Sequence, residues 1–154
     1  LKNADVYQHV FSLSPSLFDN KGLDKAIKQW QEGGSHTFID GYAAAFAPKT
    51  DAKSTEKWHK WDPTDKAVRS MYESGYGNVK QRIANYKQSP NKLASLRIEY
   101  GTQDIFTWIP EGSSFFINEL QQQGIDVTSM AHQSGHKPTQ AQLENIIKFF
   151  STKL

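Results

Sequence analysis

Two side chains in this 154-residue chain have the type and spacing to move a proton together. They are Asp104, ending Tyr-Gly-Thr-Gln-Asp (100–104), and His136, ending Ser-Gly-His (134–136). Imidazole changes charge near neutral pH, which suits it to take a proton and return it. A carboxylate held on one ring nitrogen selects the tautomer and stabilises the imidazolium that forms. Such a pair activates a hydroxyl that is a weak nucleophile by itself. His132 and His136 are also four apart, the spacing of two metal ligands on one helix face. Gly135 and Pro138 break a helix there, so no metal site is expected. The chain has no cysteine, which excludes disulfides, thiolate nucleophiles and zinc–thiolate sites.

Other candidates are weaker. Ser14 and Ser16 flank Pro15 at a strand end, where a hydroxyl can approach a site. Ser113 and Ser114 read as capping or surface groups. His9 reads as part of a strand, and His36 and His59 as surface residues. Gly75-Tyr76-Gly77 lacks the strand-to-helix context and following Lys-Ser/Thr of a phosphate loop. Trp108 lies close to Asp104 in sequence and is a candidate for lining an acyl or alcohol pocket, with Trp58 and Trp61 as further candidates.

The elements that position these groups follow from periodicity. Residues 8–13 read as a buried strand that stops at Ser14-Pro15. Leu23, Ile27 and Trp30 recur at helical spacing over 22–32. Residues 37–39 read as a short extended piece, 42–47 as a weak helix or packed loop, and 64–73 and 78–88 as helices. Residues 93–100 make a strand. Pro110 suits a first helical turn, and a helix over 111–123 turns Phe115, Phe116 and Leu120 inward, stopping at Gly124. Residues 125–130 alternate like a strand. Thr139 caps a final helix, 140–152, with apolar positions Leu143, Ile146, Ile147 and Phe150.

The last third is therefore strand, helix, strand, helix, and right-handed crossovers make its strands parallel. Asp104 lies four residues past one strand end and His136 six past the next. Sites in open parallel sheets form at the carboxyl ends of strands, and neighbouring strands lie about 5 Å apart. Two loops leaving adjacent ends can thus bring acid and imidazole into contact. The fold class expected is α/β, with about three parallel strands and flanking helices.

These residues resemble the end of an α/β-hydrolase, in its putative-esterase branch of esterase D-like and enterochelin esterase-like enzymes. In that fold the catalytic acid follows a late strand, and the histidine follows the last strand before a terminal helix. His-Val-Phe-Ser-Leu-Ser-Pro-Ser-Leu-Phe (9–18) is similar to the strand after the nucleophile helix, and Trp61-Asp62-Pro63 fits the same branch. The resemblance covers 6–18 and 93–152. It implies that 1–154 is the C-terminal part of one hydrolase domain with 19–92 as a helical lid insertion. It also implies that Asp104 and His136 are the acid and base of a Ser-His-Asp triad acting on a small-molecule ester or thioester. The family's G-x-S-x-G nucleophile elbow is absent from these residues, and the resemblance puts it upstream of Leu1. The chain alone is therefore expected to be inactive. Its opening segment has no charged stretch followed by an apolar one, and reads like the interior of a longer chain.

Composition narrows the remaining classes. Lys and Arg number 18 against 16 Asp and Glu, for a net charge of +2 without a basic block, so nucleic acid is not an expected partner. A hydrophobic content of 37% supports a packed core, and no apolar run is long enough to span a membrane. No cofactor is expected. The strand at 8–13 is expected to have an exposed edge, covered by the missing N-terminal half or by a second copy. The competing class is a small non-catalytic α/β interaction domain, for which Asp104 and His136 would lie apart.

Overall fold

The computed structural model describes residues 1, 3–19, 21–34, 36–49, 51, 59, 62, 64–74 and 78–153. It divides into two compact units, one of Leu1–Asp19 with Val79–Leu154, the other Asn20–Asn78.

The first unit is α/β. Strands β1 (His9–Leu13), β2 (Ser95–Gly101) and β3 (Thr128–His132) form a parallel sheet in the order β1-β2-β3. Its helices are α4 (Val79–Gln88), α5 (Trp108–Gln122) and α6 (Gln140–Ser151). The second unit holds α1 (Gly22–Glu32), α2 (His36–Phe46) and α3 (Lys66–Tyr72). The expected α/β class with three parallel strands and flanking helices is what the chain adopts.

The two faces of β2 differ chemically because successive side chains of a strand point to opposite sides. Leu96 and Ile98 pack with Val79 and Ile83 of α4 and Phe116, Ile117 and Leu120 of α5 in one apolar core. The opposite face carries Arg97 and Glu99, and α6 lies over it, with Asn145 bonded to Glu99 and Phe149 edge-on to Phe11 at 5.5 Å. This reverses one expectation for α6. Leu143, Ile147 and Phe150 are exposed, whereas Gln142 is buried. A polar sheet face is better covered by polar side chains, because a buried carboxylate must be hydrogen-bonded. The cap holds as expected: Thr139 and Gln142 bond reciprocally in a capping box.

Other boundaries moved. β3 begins at Thr128 and not at Ile125. Residues 36–46 form one helix, not an extended piece followed by a weak one. Their ring-bearing side chains explain the difference: Phe38 stacks on Trp30 of α1, and Tyr42 packs against Trp30, Phe46 and Tyr72. Tertiary packing outweighs a weak local propensity there. The helical unit ends at Asn78, and α4 packs with α5 in the sheet unit. Trp58, Trp61 and Gly75–Gly77 lie outside the described residues.

Candidate acid–base site

The site is built at the carboxyl end of the sheet by two loops that leave adjacent parallel strands. The register pairs Gly101, last residue of β2, with His132, last of β3. Beyond that rung the chains stay bonded: Thr102 N–H donates to the His132 carbonyl at 2.8 Å, and Gln103 N–H donates to the Ser134 carbonyl at 3.0 Å. Thr102 Oγ1 and Ser134 N–H also donate to the His132 carbonyl. The two loops are thus laced together for several residues before they deliver Asp104 and His136.

Gly101 makes this approach feasible. A Cβ at that position would collide with the carbonyl oxygens of Ser134 and Gly135, so any larger residue pushes the His136 loop away.

At the end of the lacing, His136 Nδ1–H donates to Asp104 Oδ2 at 3.0 Å. The Asp104 side chain is fully buried, while that of His136 is 45% exposed. The other carboxylate oxygen, Oδ1, accepts from Phe106 N–H at 2.9 Å. Both oxygens are therefore committed, and the carboxylate cannot rotate freely. With Nδ1 donating, Nε2 is the bare, basic nitrogen, and no hydrogen bond engages it among the described residues. The arrangement can accept a proton at Nε2 and stabilise the resulting imidazolium through Asp104.

An aromatic column backs the imidazole. The Phe106 ring stands edge-on to His136 at 4.8 Å. Trp108 lies behind Phe106 at 6.0 Å and contacts Phe18 at 5.1 Å. Trp108 is 3% exposed, so it sits one layer behind the ring that faces His136. Sequence reasoning singled out Trp108 and missed Phe106, whose position two residues past the acid was the available signal.

The remaining candidates are placed as follows. Neither Ser14 nor Ser16 bonds to His136. Ser14 is the only non-glycine residue with positive φ among those described, at 44°, and its N–H donates to the Glu99 carbonyl. Ser113 is fully buried within α5, not a capping or surface group. His9 belongs to β1 as expected and bonds Ser95 Oγ at 2.9 Å. His59 is buried and paired with Asp40 at 3.1 Å, which corrects its assignment to the surface. His132 is no partner of His136: its Nε2 binds Glu99 at 2.6 Å. No group of three metal-ligating side chains occurs among the described residues. No helix among them is long and apolar enough to cross a membrane.

No family model and no curated protein matches this chain.

Proposed function

We propose that this chain supplies the acid and the base of a serine carboxylesterase of α/β-hydrolase type, acting on a small-molecule ester or thioester. The observation that carries the reading is the Asp104–His136 bond at the carboxyl ends of neighbouring parallel strands, with His136 Nε2 left bare. His136 stays nearly half exposed while a fully buried carboxylate holds one of its ring nitrogens, the arrangement a general base needs.

The chemistry follows from these atoms. His136 Nε2 removes the proton of a serine hydroxyl as its oxygen attacks the ester carbonyl. The imidazolium then gives that proton to the departing alcohol or thiol, leaving an acyl-serine. In the second half, Nε2 takes a proton from water, which attacks the acyl carbon; the proton returns to the serine as the acid departs. Asp104 keeps Nδ1 protonated throughout and offsets the positive charge on the ring.

The serine belongs to the partner that this reading requires. We place it on a G-x-S-x-G elbow in an N-terminal half, on the same polypeptide upstream of Leu1 or associated with it. That half would add its strand to the outer edge of β1.

Intact-mass measurement and N-terminal sequencing of every polypeptide in a native preparation come first, followed by labelling with a fluorophosphonate. A labelled serine within G-x-S-x-G, with ester hydrolysis lost in His136→Ala, is the expected result. Ester hydrolysis that survives His136→Ala overturns the reading, as does a native preparation with no labelled serine. The chain by itself should show no ester turnover.

A further inference from the structure

The sheet holds a second buried carboxylate that the acid–base chemistry leaves unused. Glu99 stands at the middle of the central strand with no exposed surface. Its Oε1 accepts from Arg97 Nε and Nη2, each at 2.6 Å. Its Oε2 accepts from His132 Nε2 at 2.6 Å, and Asn145 Nδ2 reaches both oxygens at 3.2 and 3.3 Å. The donors come from β2, β3 and α6. Removing a carboxylate from water is costly, and only a full set of charged and neutral donors offsets it. An aliphatic residue would fill a central parallel strand without that cost, which is why such strands are usually apolar throughout. The fold alone therefore gives no reason for Glu99.

The network ends on the residue from which the site is hung. The imidazole of His132 is gripped by Glu99, and its carbonyl accepts from Thr102 N–H, Thr102 Oγ1 and Ser134 N–H. Those bonds lace the Asp104 loop to the His136 loop. If the end of β3 shifts, the lacing shifts with it, and a displacement of about 1 Å is enough to disable an acid–base pair.

We propose that Glu99 is a positioning residue for the Asp104–His136 pair, acting through His132. This rests on reading that pair as an acid–base unit. Glu99 touches neither member: it holds the last residue of β3 in place, and the backbone of that residue sets the separation of the two loops.

The test reads the ring tautomer of His136 by two-bond 1H–15N correlation in the chain itself, with the imidazole neutral. Glu99→Gln keeps the shape but removes the charge. His132→Asn removes the imidazole while leaving Glu99 with Arg97 and Asn145. Ile98→Val, on the opposite face of the same strand, is a control that loosens the core without touching the network. The wild-type ring should be almost wholly the Nδ1–H form. In both network variants the Nδ1–H share should fall at least about twofold, and the Thr102 and Ser134 amides should exchange at least about tenfold faster. The Ile98→Val ring should stay as in the wild type.

The proposal is overturned if both network variants keep the wild-type tautomer. It is equally overturned if Ile98→Val changes the ring as much, or if both network variants fail to fold, since Glu99 would then serve the core and not the loops. Failure of the esterase reading looks different: no serine is labelled, while the His136 signal responds as described.

Discussion

Asp104 Oδ2 accepts the Nδ1–H of His136 while Oδ1 is occupied by the Phe106 amide, so the carboxylate has one orientation in which both bonds are made. This makes the pair sensitive to loss of charge and acceptor capacity more than to loss of volume. Asp104→Asn retains the volume, but its amide can present N–H toward the ring and favour the wrong tautomer. In the complete enzyme proposed above, it should lower kcat by roughly four orders of magnitude with little change in KM. Steady-state kinetics on an aryl ester would show this, and a loss below tenfold would argue against Asp104 as the orienting acid. The same scale explains what sequence reading saw and missed. Asp104 and His136 were legible because each follows a strand in a recognisable loop. Phe106 could have been found from its place two residues past the acid, whereas Glu99 could not, because an acid inside a strand has no local signature until its neighbours are known.

The strands and their loops act as a single laced unit. Gly101 is the element-level requirement, since the Ser134–Gly135 backbone passes where a side chain would stand. Gly101→Ala should therefore destabilise the sheet unit by about 1–3 kcal/mol, the usual cost of overpacking. It should also break the Nδ1–Oδ2 bond, because the His136 loop is the part that yields. Denaturant unfolding measures the first effect and the His136 ring tautomer the second; an unchanged tautomer would mean that Asp104 follows the loop as it moves. α6 shows how an amphipathic pattern can mislead. Its apolar residues at 143, 147 and 150 recur at helical spacing, yet they face solvent, because the sheet beneath offers Glu99 and Arg97.

Across the whole molecule, charge and burial set two further expectations. In the helical unit, Tyr72 is fully buried, and its phenol is pushed up to about 12 by burial, with the charge of Asp62 adding to it. A raised value means that the folded state holds the proton more tightly than the unfolded chain does. The stability this contributes is intact below pH about 10 and is lost as pH rises toward about 12. Absorbance titration should show a tyrosine lagging the others, with the helical unit losing stability over the same interval. Asp62 lies on the other side of its ordinary value: its carboxyl is lowered by the Thr64 hydroxyl and amide hydrogen bonds. The second expectation concerns the exposed stripe on α6. Ile147 is 70% exposed, so Ile147→Glu should change the stability of the chain alone by less than about 0.5 kcal/mol. In the proposed assembly with an N-terminal half, the same substitution should weaken co-purification of the two parts. Unchanged co-purification would remove the stripe from that interface.

The residue pattern by itself determined the order of strands and helices in the last third, the cap at Thr139 and the two loops that carry Asp104 and His136. These are local properties: periodicity, an N-cap and a proline or glycine act over a few residues, and they read the same in any surroundings. The folded chain alone decided which side of α6 faces the sheet, that residues 36–46 form a single helix and that His59 is buried against Asp40. It also decided that His132 answers to Glu99 and not to His136. Each of these depends on partners distant in sequence, aromatic rings for 36–46 and polar groups for the others, and no run of neighbouring residues encodes them.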